Sequence, residues 1–314
     1  MIDITLKNFE TDLIHASMNA PVLLDIWAPW CGPCRTLGPL LERLEVAYAG
    51  RFTLAKLNSD DQPEIAGQLS QAFGVRSIPF CVLFDKGAPV DGFVGALPEA
   101  QIRAFLDKHV PTAADVQAEA EAEAAEELEA AGDTDAALAR LQQAVAVAPG
   151  NDAARCDYVK LLLELKRVDQ ARMAFEPVAG KVAIDQRIAA LAHWLDACEA
   201  APKARAATDL TAAIAANKRD FAARFELAQT HFAASRFTEA MDELLEIVMR
   251  DKTWNEELAR RTYVAILELM TKPAQKAAAA EPARGALEVA GKSTTAPADP
   301  VVEQYRRKLS MALF

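Results

Sequence analysis

The chain has 314 residues, a length typical of about two domains. Its 52% hydrophobic and 25% charged residues, with ordinary numbers of glycine and proline, exclude a fibrous or fully disordered protein. The formal net charge of -11 argues against binding nucleic acid through the phosphates, because such binding needs a basic surface.

The N-terminal segment lacks the pattern of a secretion signal. Residues 1–9 include Asp3 and alternate polar with apolar residues, and no apolar run along the chain reaches the roughly 18 residues of a membrane span. We therefore expect a cytoplasmic protein without a membrane partner. Because thiols stay reduced there, the five cysteines do not predict a disulfide scaffold. The informative spacing is that of Cys31 and Cys34.

A buried strand is predicted at residues 22–27, where an apolar run contains the single acid Asp25. It leads through the sequence Trp-Cys-Gly-Pro-Cys at 30–34 into residues 36–48, whose leucines recur at helical spacing. The cysteine pair therefore opens a helix, and the unpaired amides there favour a thiolate at the first cysteine. We predict Cys31 as the nucleophile and Cys34, one turn later and deeper, as the resolving thiol.

Residues 1–110 resemble thioredoxin. The resemblance depends on separate motifs, which are Trp-Cys-Gly-Pro-Cys at 30–34, Asp25, Ala-Lys-Leu at 55–57, Ser-Ile-Pro at 77–79 and Val-Gly-Ala at 94–96. It implies an α/β thioredoxin fold, a mixed central sheet flanked by helices, with a cis peptide before Pro79. It also implies that Asp25 is a buried acid that assists proton transfer at Cys34, with the charge of Lys56 nearby.

The same resemblance implies a shallow apolar surface that docks substrate disulfides. Its residues are Trp30, Gly32, Pro33, Ile78, Pro79, Val94 and Gly95. Phe80 departs from the family pattern, which usually has a small polar residue there, and is expected to alter what docks. No cofactor or metal is expected.

Other interpretations of these residues are open. A Cys-x-x-Cys pair can be half of a zinc site, but no second pair follows to complete four ligands. The domain could serve only for docking, because a fold does not guarantee activity. Asp25 could be a buried carboxylate with a purely structural role. Cys81 fits a core cysteine better than a redox-sensitive thiol.

Helical repeats are predicted at residues 111–270. Residues 113–131 are dense in Ala and Glu and end near Gly132, which is typical of a helix and its stop. Beyond them, Leu141, Phe175, Leu210 and Leu244 are spaced by 34, 35 and 34 residues. A period of 34 is the tetratricopeptide signature, so we predict an all-α solenoid with a degenerate repeat at 189–216. Such arrays bind proteins or peptides, and the alternative is a spacer or dimerisation arm.

The C-terminal region contains two further segments. Residues 271–298 are rich in Ala and Pro and predict a flexible insertion. Residues 299–314 then predict a short basic amphipathic helix. This helix could cap the last repeat or bind a partner.

The whole chain resembles the bacterial chaperedoxin family, CnoX or YbbN, in which a thioredoxin domain precedes such repeats and the chain ends near Tyr-Arg-Arg-Lys-Leu. The resemblance implies a redox-active holdase that binds unfolding or oxidised clients under oxidative stress, protects their cysteines and delivers them to the chaperonin GroEL. It implies chaperonin docking through the terminal helix, by Tyr305, Arg306, Arg307, Leu309, Leu313 and Phe314. Thioredoxin reductase could supply electrons. The alternatives are a reductase targeted by its repeats without holdase activity, and a redox-inactive scaffold.

Overall fold

A computed structural model of the chain describes residues 1–271 and 299–313. Its described residues form two compact units, 1–116 in the first and 117–271 with 299–313 in the second. The sequence places the first boundary after Val110, whereas the units divide between Val116 and Gln117. The expected flexible insertion, apart from Thr271, lies outside the described residues, and so does Phe314.

One mixed sheet organises the first unit. Its strands among the described residues are β1 (Ile2–Asp3), β2 (Val22–Trp27), β3 (Thr53–Asn58), β4 (Phe80–Asp85) and β5 (Ala88–Val94). They lie in the order β1-β3-β2-β4-β5, with β3 parallel to β1 and β2, and β4 antiparallel to β2 and β5. The central strand β2 coincides with the predicted buried strand. The mixed sheet confirms the predicted fold class.

Three α-helices lie wholly within the described residues of the first unit, α1 (Gly32–Ala47), α2 (Pro63–Phe73) and α3 (Glu99–His109), and a π-helix (Phe9–His15) and a 3-10 helix (Ala16–Met18) precede them. Because side chains alternate across a strand, Leu23 packs with Leu41 of α1 and Ile102 of α3 on one face of the sheet. Leu24 packs with Ile65 of α2 on the other. Each face therefore has its own apolar layer, and residues next to one another in β2 belong to different layers.

Strand β5 approaches β4 closely at Gly92. A Cβ at this position would lie 2.7 Å from the backbone oxygen of Cys81, a separation that side-chain carbons do not adopt. Gly92 is therefore required for the pairing of the two strands at this level.

The remaining α-helices among the described residues are α4 (Ala113–Ala130), α5 (Thr134–Val147), α6 (Asp152–Glu164), α7 (Val168–Phe175), α8 (Gln186–Ala200), α9 (Ala207–Ala216), α10 (Phe221–Ala233), α11 (Phe237–Arg250), α12 (Trp254–Met270) and α13 (Pro300–Leu313). Helix α4 ends near the predicted stop, where Gly132 has a left-handed φ of 83°. Within residues 1–271 and 299–313, no helix combines the length and the apolar character needed to cross a membrane.

The period in the sequence is confirmed in the packing. Leu141, Phe175, Leu210 and Leu244 are all buried, one each in α5, α7, α9 and α11. Each of these helices packs on the helix that follows it. In the predicted degenerate repeat, α9 has 10 residues and buries Leu210.

Acidic or amide side chains cap the second helix of successive pairs. The side chains of Asn151, Asp185 and Asp220 accept hydrogen bonds from the first-turn amides of α6, α8 and α10, at 2.9 to 3.1 Å. These caps satisfy donors that a helix start leaves without partners. They follow nearly the same period as the core positions, so the repeat is present in both the core and the helix starts.

Helix α13 packs on the last repeat. Val302, Tyr305 and Leu309 are buried in the same core as α11 and α12. The Tyr263 hydroxyl of α12 donates a hydrogen bond to the backbone oxygen of Tyr305 at 2.8 Å, and Lys308 forms an ion pair with Asp242 of α11 at 3.2 Å. The helix therefore occupies the capping position, one of the two alternatives that the sequence leaves open.

Candidate active site

The cysteine pair opens α1, as the sequence predicts. Cys31 and Cys34 are joined by a disulfide bond, and the Cys34 amide donates a hydrogen bond to Cys31 Sγ at 3.2 Å. Cys31 is the N-cap of the helix, so its sulfur lies where first-turn amides and the helix dipole favour negative charge. Cys31 and Cys34 are buried to the same degree, with exposed fractions of 4% and 5%, so burial does not separate the two cysteines in the order that the sequence predicts. The helix start, not depth, distinguishes the two sulfurs.

Apolar groups surround the disulfide. Ala28 is buried with the two cysteines, and Trp27 and Ile78 pack against them. The Ile78–Pro79 peptide bond is cis, as the resemblance to thioredoxin implies. The Gly95 amide donates a hydrogen bond to the Pro79 backbone oxygen at 2.8 Å, which ties the start of β4 to the end of β5. The two segments implied to dock substrates are thus joined at one edge of the site.

A row of polar side chains crosses the sheet behind the helix. Asp25 of β2 is paired in register with Lys56 of β3 and with Cys81 of β4. Asp25 is only 1% exposed, and Cys81 Sγ donates a hydrogen bond to its Oδ1 at 3.7 Å. Lys56 forms an ion pair with Glu42 of α1. The row therefore places one buried carboxyl group between a charged lysine on β3 and a thiol donor on β4.

The electrostatics of this row suit proton exchange near neutral pH. Burial raises the pKa of Asp25 to about 6, opposed by the positive charge of Lys56 and by the hydrogen bond from Cys81. A carboxyl group with this pKa is present in both protonation states in the range where thiol exchange operates. Burial, the charge of Asp25 and the hydrogen bond raise the pKa of Cys81 well above its usual value, so this thiol stays protonated.

The implied docking residues differ in exposure. Trp30, Gly32, Pro33 and Val94 are exposed, Ile78 and Gly95 are half-buried, and Pro79 is buried. The Trp30 ring is 69% exposed, and its Nε1 donates to the carboxylate of Asp60 at 3.0 and 3.2 Å. An exposed indole held in place by a hydrogen bond offers a fixed apolar contact beside Cys31.

Phe80 lies in the core. Its ring is 2% exposed and packs edge-on against Phe73 of α2, with the ring centroids 5.5 Å apart. The phenylalanine that replaces the usual small polar residue of the family is therefore accommodated by packing against Phe73 on the α2 face of the sheet. The ring is absent from the exposed docking residues, so its expected effect on docking would have to be indirect.

Family models match both units. A thioredoxin model matches residues 1–108, and tetratricopeptide repeat models match residues 128–195 and 200–288. A thioredoxin of Chlorobaculum thiosulfatiphilum is 45% identical over 104 residues, which are 33% of this chain and 91% of that protein. Thioredoxin 1 of Nostoc sp. is 37% identical over 107 residues, 34% of this chain and 94% of that protein. This chain belongs to the thioredoxin family.

In this thioredoxin-family chain, the redox domain is fused to tetratricopeptide repeats. The Cys31–Cys34 disulfide and the thioredoxin relatives together support thiol–disulfide oxidoreductase activity. Within the described ranges, no group of three or more His, Cys, Asp or Glu side chains is arranged to hold a metal ion.

Three contacts of the site are not predictable from the sequence motifs. Glu42 neutralises Lys56, Asp60 orients Trp30, and Cys81 donates to Asp25. Glu42 and Asp60 resemble ordinary surface acids, and no local pattern distinguishes them. Cys81 gives a weak signal, because it is the one thiol in the apolar run at residues 80–84, but the run does not show which buried polar group it faces.

The residues implied to dock a chaperonin divide between two sides of α13. Tyr305 and Leu309 are buried against the last repeat, and Leu313 is half-buried. Arg306 and Arg307 are exposed, and Arg306 hydrogen-bonds to Glu303 and Thr271. Among the members of the set that the structure describes, Arg306 and Arg307 are the exposed ones.

Proposed function

We propose that this chain is a redox-active co-chaperone of the cytoplasm, in which a thioredoxin-type reductase acts on clients that the repeats hold. The observation that carries the redox part is the placement of Cys31 Sγ at the start of α1, where it accepts a hydrogen bond from the Cys34 amide. This contact stabilises a thiolate at Cys31 more than at Cys34. The order of the two sulfurs in the reaction follows from it.

The first step is attack on a client disulfide. In the reduced site, the Cys31 thiolate attacks one client sulfur, an S–S bond forms between protein and client, and the other client sulfur leaves as a thiolate that takes up a proton. The exposed Trp30, Pro33 and Val94 provide the apolar contact for the client segment. The backbone near the cis Ile78–Pro79 peptide is the edge with which an extended client segment can pair.

The second step releases the client. Cys34 loses its proton to the Asp25 carboxylate and attacks Cys31 Sγ, which restores the Cys31–Cys34 disulfide and expels the second client sulfur as a thiolate that takes up a proton from solvent. Asp25 suits this role because its pKa of about 6 lets it accept a proton near neutral pH and return it to solvent. An external dithiol, for example that of thioredoxin reductase, then reduces the Cys31–Cys34 disulfide for the next cycle.

The holding function is assigned to the second unit. Tetratricopeptide repeats bind proteins, and the resemblance to the chaperedoxin family supports unfolding clients as their ligands and GroEL as the acceptor. Contact with the chaperonin is assigned to the exposed Arg306 and Arg307 of α13. The buried Tyr305 and Leu309 hold the helix in place for this contact.

Reduction of insulin tests the redox part. We expect Cys31→Ser to abolish turnover, and Cys34→Ser to stop after one round with the substrate trapped as a mixed disulfide. Cys198→Ser is the matched control, since it removes a buried thiol from the repeats and should leave turnover unchanged. Turnover by Cys31→Ser equal to that of the unaltered protein would contradict the assignment.

Suppression of client aggregation tests the holding part. The Cys31→Ser, Cys34→Ser double variant should still keep a heated client protein in solution, because the repeats and not the thiols carry this activity. If the double variant no longer suppresses aggregation, the assignment of client holding to the second unit is contradicted.

Capture from a cytosolic lysate tests delivery. Cys34→Ser protein should trap clients as mixed disulfides and also retain the chaperonin. When Arg306→Glu and Arg307→Glu are added to it, the protein should still trap clients but should no longer retain the chaperonin. These charge reversals are sharper than deletion of residues 299–314, because deletion would also expose the apolar faces of α11 and α12 that α13 covers. Chaperonin retention unaffected by the reversals would contradict the docking assignment.

A second candidate is a reductase targeted to one partner by its repeats, without general holding activity. It is favoured by the packing of α13, which buries the apolar side chains that a free docking helix would offer. Trapped clients in the absence of chaperonin and of aggregation suppression would select this candidate.

A further inference from the structure

We propose that Cys81 is a positioning residue for the redox reaction, whose thiol holds the Asp25 carboxylate by a hydrogen bond and thereby sets the pH range in which the site accepts the proton of Cys34. The inference rests on the proposed reductase function and adds a residue to it. Three observations carry it, namely the strand register, the hydrogen bond and the burial of both partners.

The register makes the contact a fixed one. Asp25 and Cys81 are directly paired between the antiparallel strands β2 and β4, so their side chains leave the sheet on the same face. On its other side β4 is paired with β5, with Cys81 opposite Phe93 and Val82 opposite Gly92. The Cα atoms from which the two side chains extend are therefore set by the pairing of three strands.

The chemistry gives the hydrogen bond one direction. An ionised carboxylate only accepts, and the Cys81 thiol, held protonated by burial and by the charge of Asp25, donates to it. A donor to the charged form of a carboxyl group favours that form. Cys81 therefore counteracts the burial that disfavours the Asp25 carboxylate.

The other charged groups acting on Asp25 do not replace this donor. Lys56 of β3 favours the carboxylate through its charge, but its Nζ is paired with Glu42 of α1. Glu42 itself acts in the opposite sense, because its negative charge disfavours ionisation of Asp25. Among the interactions that the structure describes for the Asp25 side chain, the thiol provides the direct hydrogen bond.

Carboxyl carbon NMR of Asp25 in the oxidised full-length protein tests the contact, because Cys31 and Cys34 do not titrate in the disulfide form. We compare the unaltered chain with Cys81→Ala, which lacks a donor, and Cys81→Ser, which retains one. The pH midpoint of the Asp25 carboxyl titration should rise by about 0.5 pH unit or more in Cys81→Ala. It should return toward the original value in Cys81→Ser. Cys81→Val serves as a donor-free variant if the alanine variant is unstable.

Insulin reduction as a function of pH provides the functional readout. The acidic limb of the plot of turnover against pH should move with the midpoint of the Asp25 titration. Cys81→Ala should therefore turn over about twofold more slowly than the unaltered protein at pH 6 and equally fast at pH 8. A general loss of packing would instead lower turnover at both pH values. Rescue of the pH 6 rate by Cys81→Ser separates the donor from the volume of the side chain.

An unmoved Asp25 midpoint in Cys81→Ala would overturn the proposal, and so would a moved midpoint with an unchanged acidic limb. Failure of the unaltered protein to reduce insulin at any pH would overturn the proposed function instead. That failure is recognised in the unaltered chain alone, before any Cys81 variant is compared.

Discussion

Asp25 is subject to opposite demands from catalysis and from folding. Its 1% exposure raises the pKa to about 6, which suits proton transfer from a thiol. The same burial disfavours the charged form, so the ionised carboxylate makes the folded state less stable. Lys56 and Cys81 recover part of this cost, and they do so without bringing the pKa back to its usual range.

The Asp25→Asn variant should be more stable than the unaltered chain at pH 8. Because the pKa is raised in the folded state, the folded chain binds more protons than the unfolded chain between about pH 4 and 6, and the free energy of unfolding falls as the pH rises through that range. A rise from 3.8 to about 6 corresponds to about 3 kcal/mol above pH 6, as an upper estimate, and to little at pH 4.

Urea unfolding at pH 4 and pH 8 measures this difference. Asp3→Asn is the matched control, since Asp3 is exposed and its substitution should change stability by less than about 0.5 kcal/mol. A stabilisation by Asp25→Asn that is larger at pH 4 than at pH 8 would contradict a raised pKa for Asp25 in the folded state.

Among the elements of the first unit, β4 has two close neighbours, β2 at the Asp25–Cys81 pair and β5 at Gly92. The pair supplies a polar contact, and the glycine allows the strand on the other side to come near. The position of the Cys81 thiol is therefore a property of three strands together. A change in β5 should affect the buried acid in β2.

Gly92→Ala should destabilise the first unit by about 1–3 kcal/mol, because its Cβ would meet the Cys81 backbone oxygen at 2.7 Å and force β4 and β5 apart. Thermal unfolding followed by circular dichroism measures the loss. Gly67→Ala is the control, since Gly67 lies exposed within α2 with open space around its Cβ position. This substitution should raise the free energy of unfolding by about 0.5–1 kcal/mol. Equal effects of the two substitutions would exclude the steric explanation.

Helix α13 illustrates how an amphipathic element is used at the end of a repeat array. Its apolar side chains cover α11 and α12, whose faces would otherwise be open at the last repeat. Terminal repeats need such a cover because no further repeat follows to bury them. The basic side of the helix remains exposed at Arg306 and Arg307.

Leu309→Ala should lower the free energy of unfolding of the second unit by about 2–4 kcal/mol, since it removes a buried side chain from the contact with the last repeat. Arg307→Ala, two residues away on the exposed side, should change it by less than about 0.5 kcal/mol. Hydrogen exchange at α11 and α12 reports which helices lose protection. Unchanged protection there in Leu309→Ala would show that the helix does not serve as a cap.

In the molecule as a whole, every residue assigned to the redox reaction lies in the first unit. This unit has its own sheet and apolar layers, and its relatives of similar length are complete thioredoxins. The groups assigned to client holding and chaperonin contact lie in the second unit. The proposed division of function therefore follows the division of the chain into two units.

A fragment of residues 1–112 should fold and reduce insulin with the same turnover as the full chain, while it loses suppression of client aggregation. This fragment keeps Pro111, whose backbone oxygen accepts a hydrogen bond from Arg51 at 2.8 Å. Insulin reduction and light scattering of a heated client measure the two activities. Loss of turnover in a fragment with a cooperative unfolding transition would show that the repeats take part in the redox reaction.

The local features of this protein are predictable from its residues alone. They are the apolar run at β2, the cysteine pair at the start of α1 and the period through Leu141, Phe175, Leu210 and Leu244, and the structure places them in a sheet, a helix start and a repeat core. These features depend on residues within one strand, one helix or one repeat. Such short-range patterns follow from the geometry of strands and helices.

Contacts between distant residues required the folded chain. The pairing of Asp25 with Cys81, the neutralisation of Lys56 by Glu42 and the burial of Tyr305 depend on strand order, helix placement and register. A shift of one residue between β2 and β4 would send Asp25 and Cys81 to opposite faces with no change in the local pattern of either strand. Contacts of this kind are set by the packing of the whole unit, which is why the donor to the buried acid became visible only in the fold.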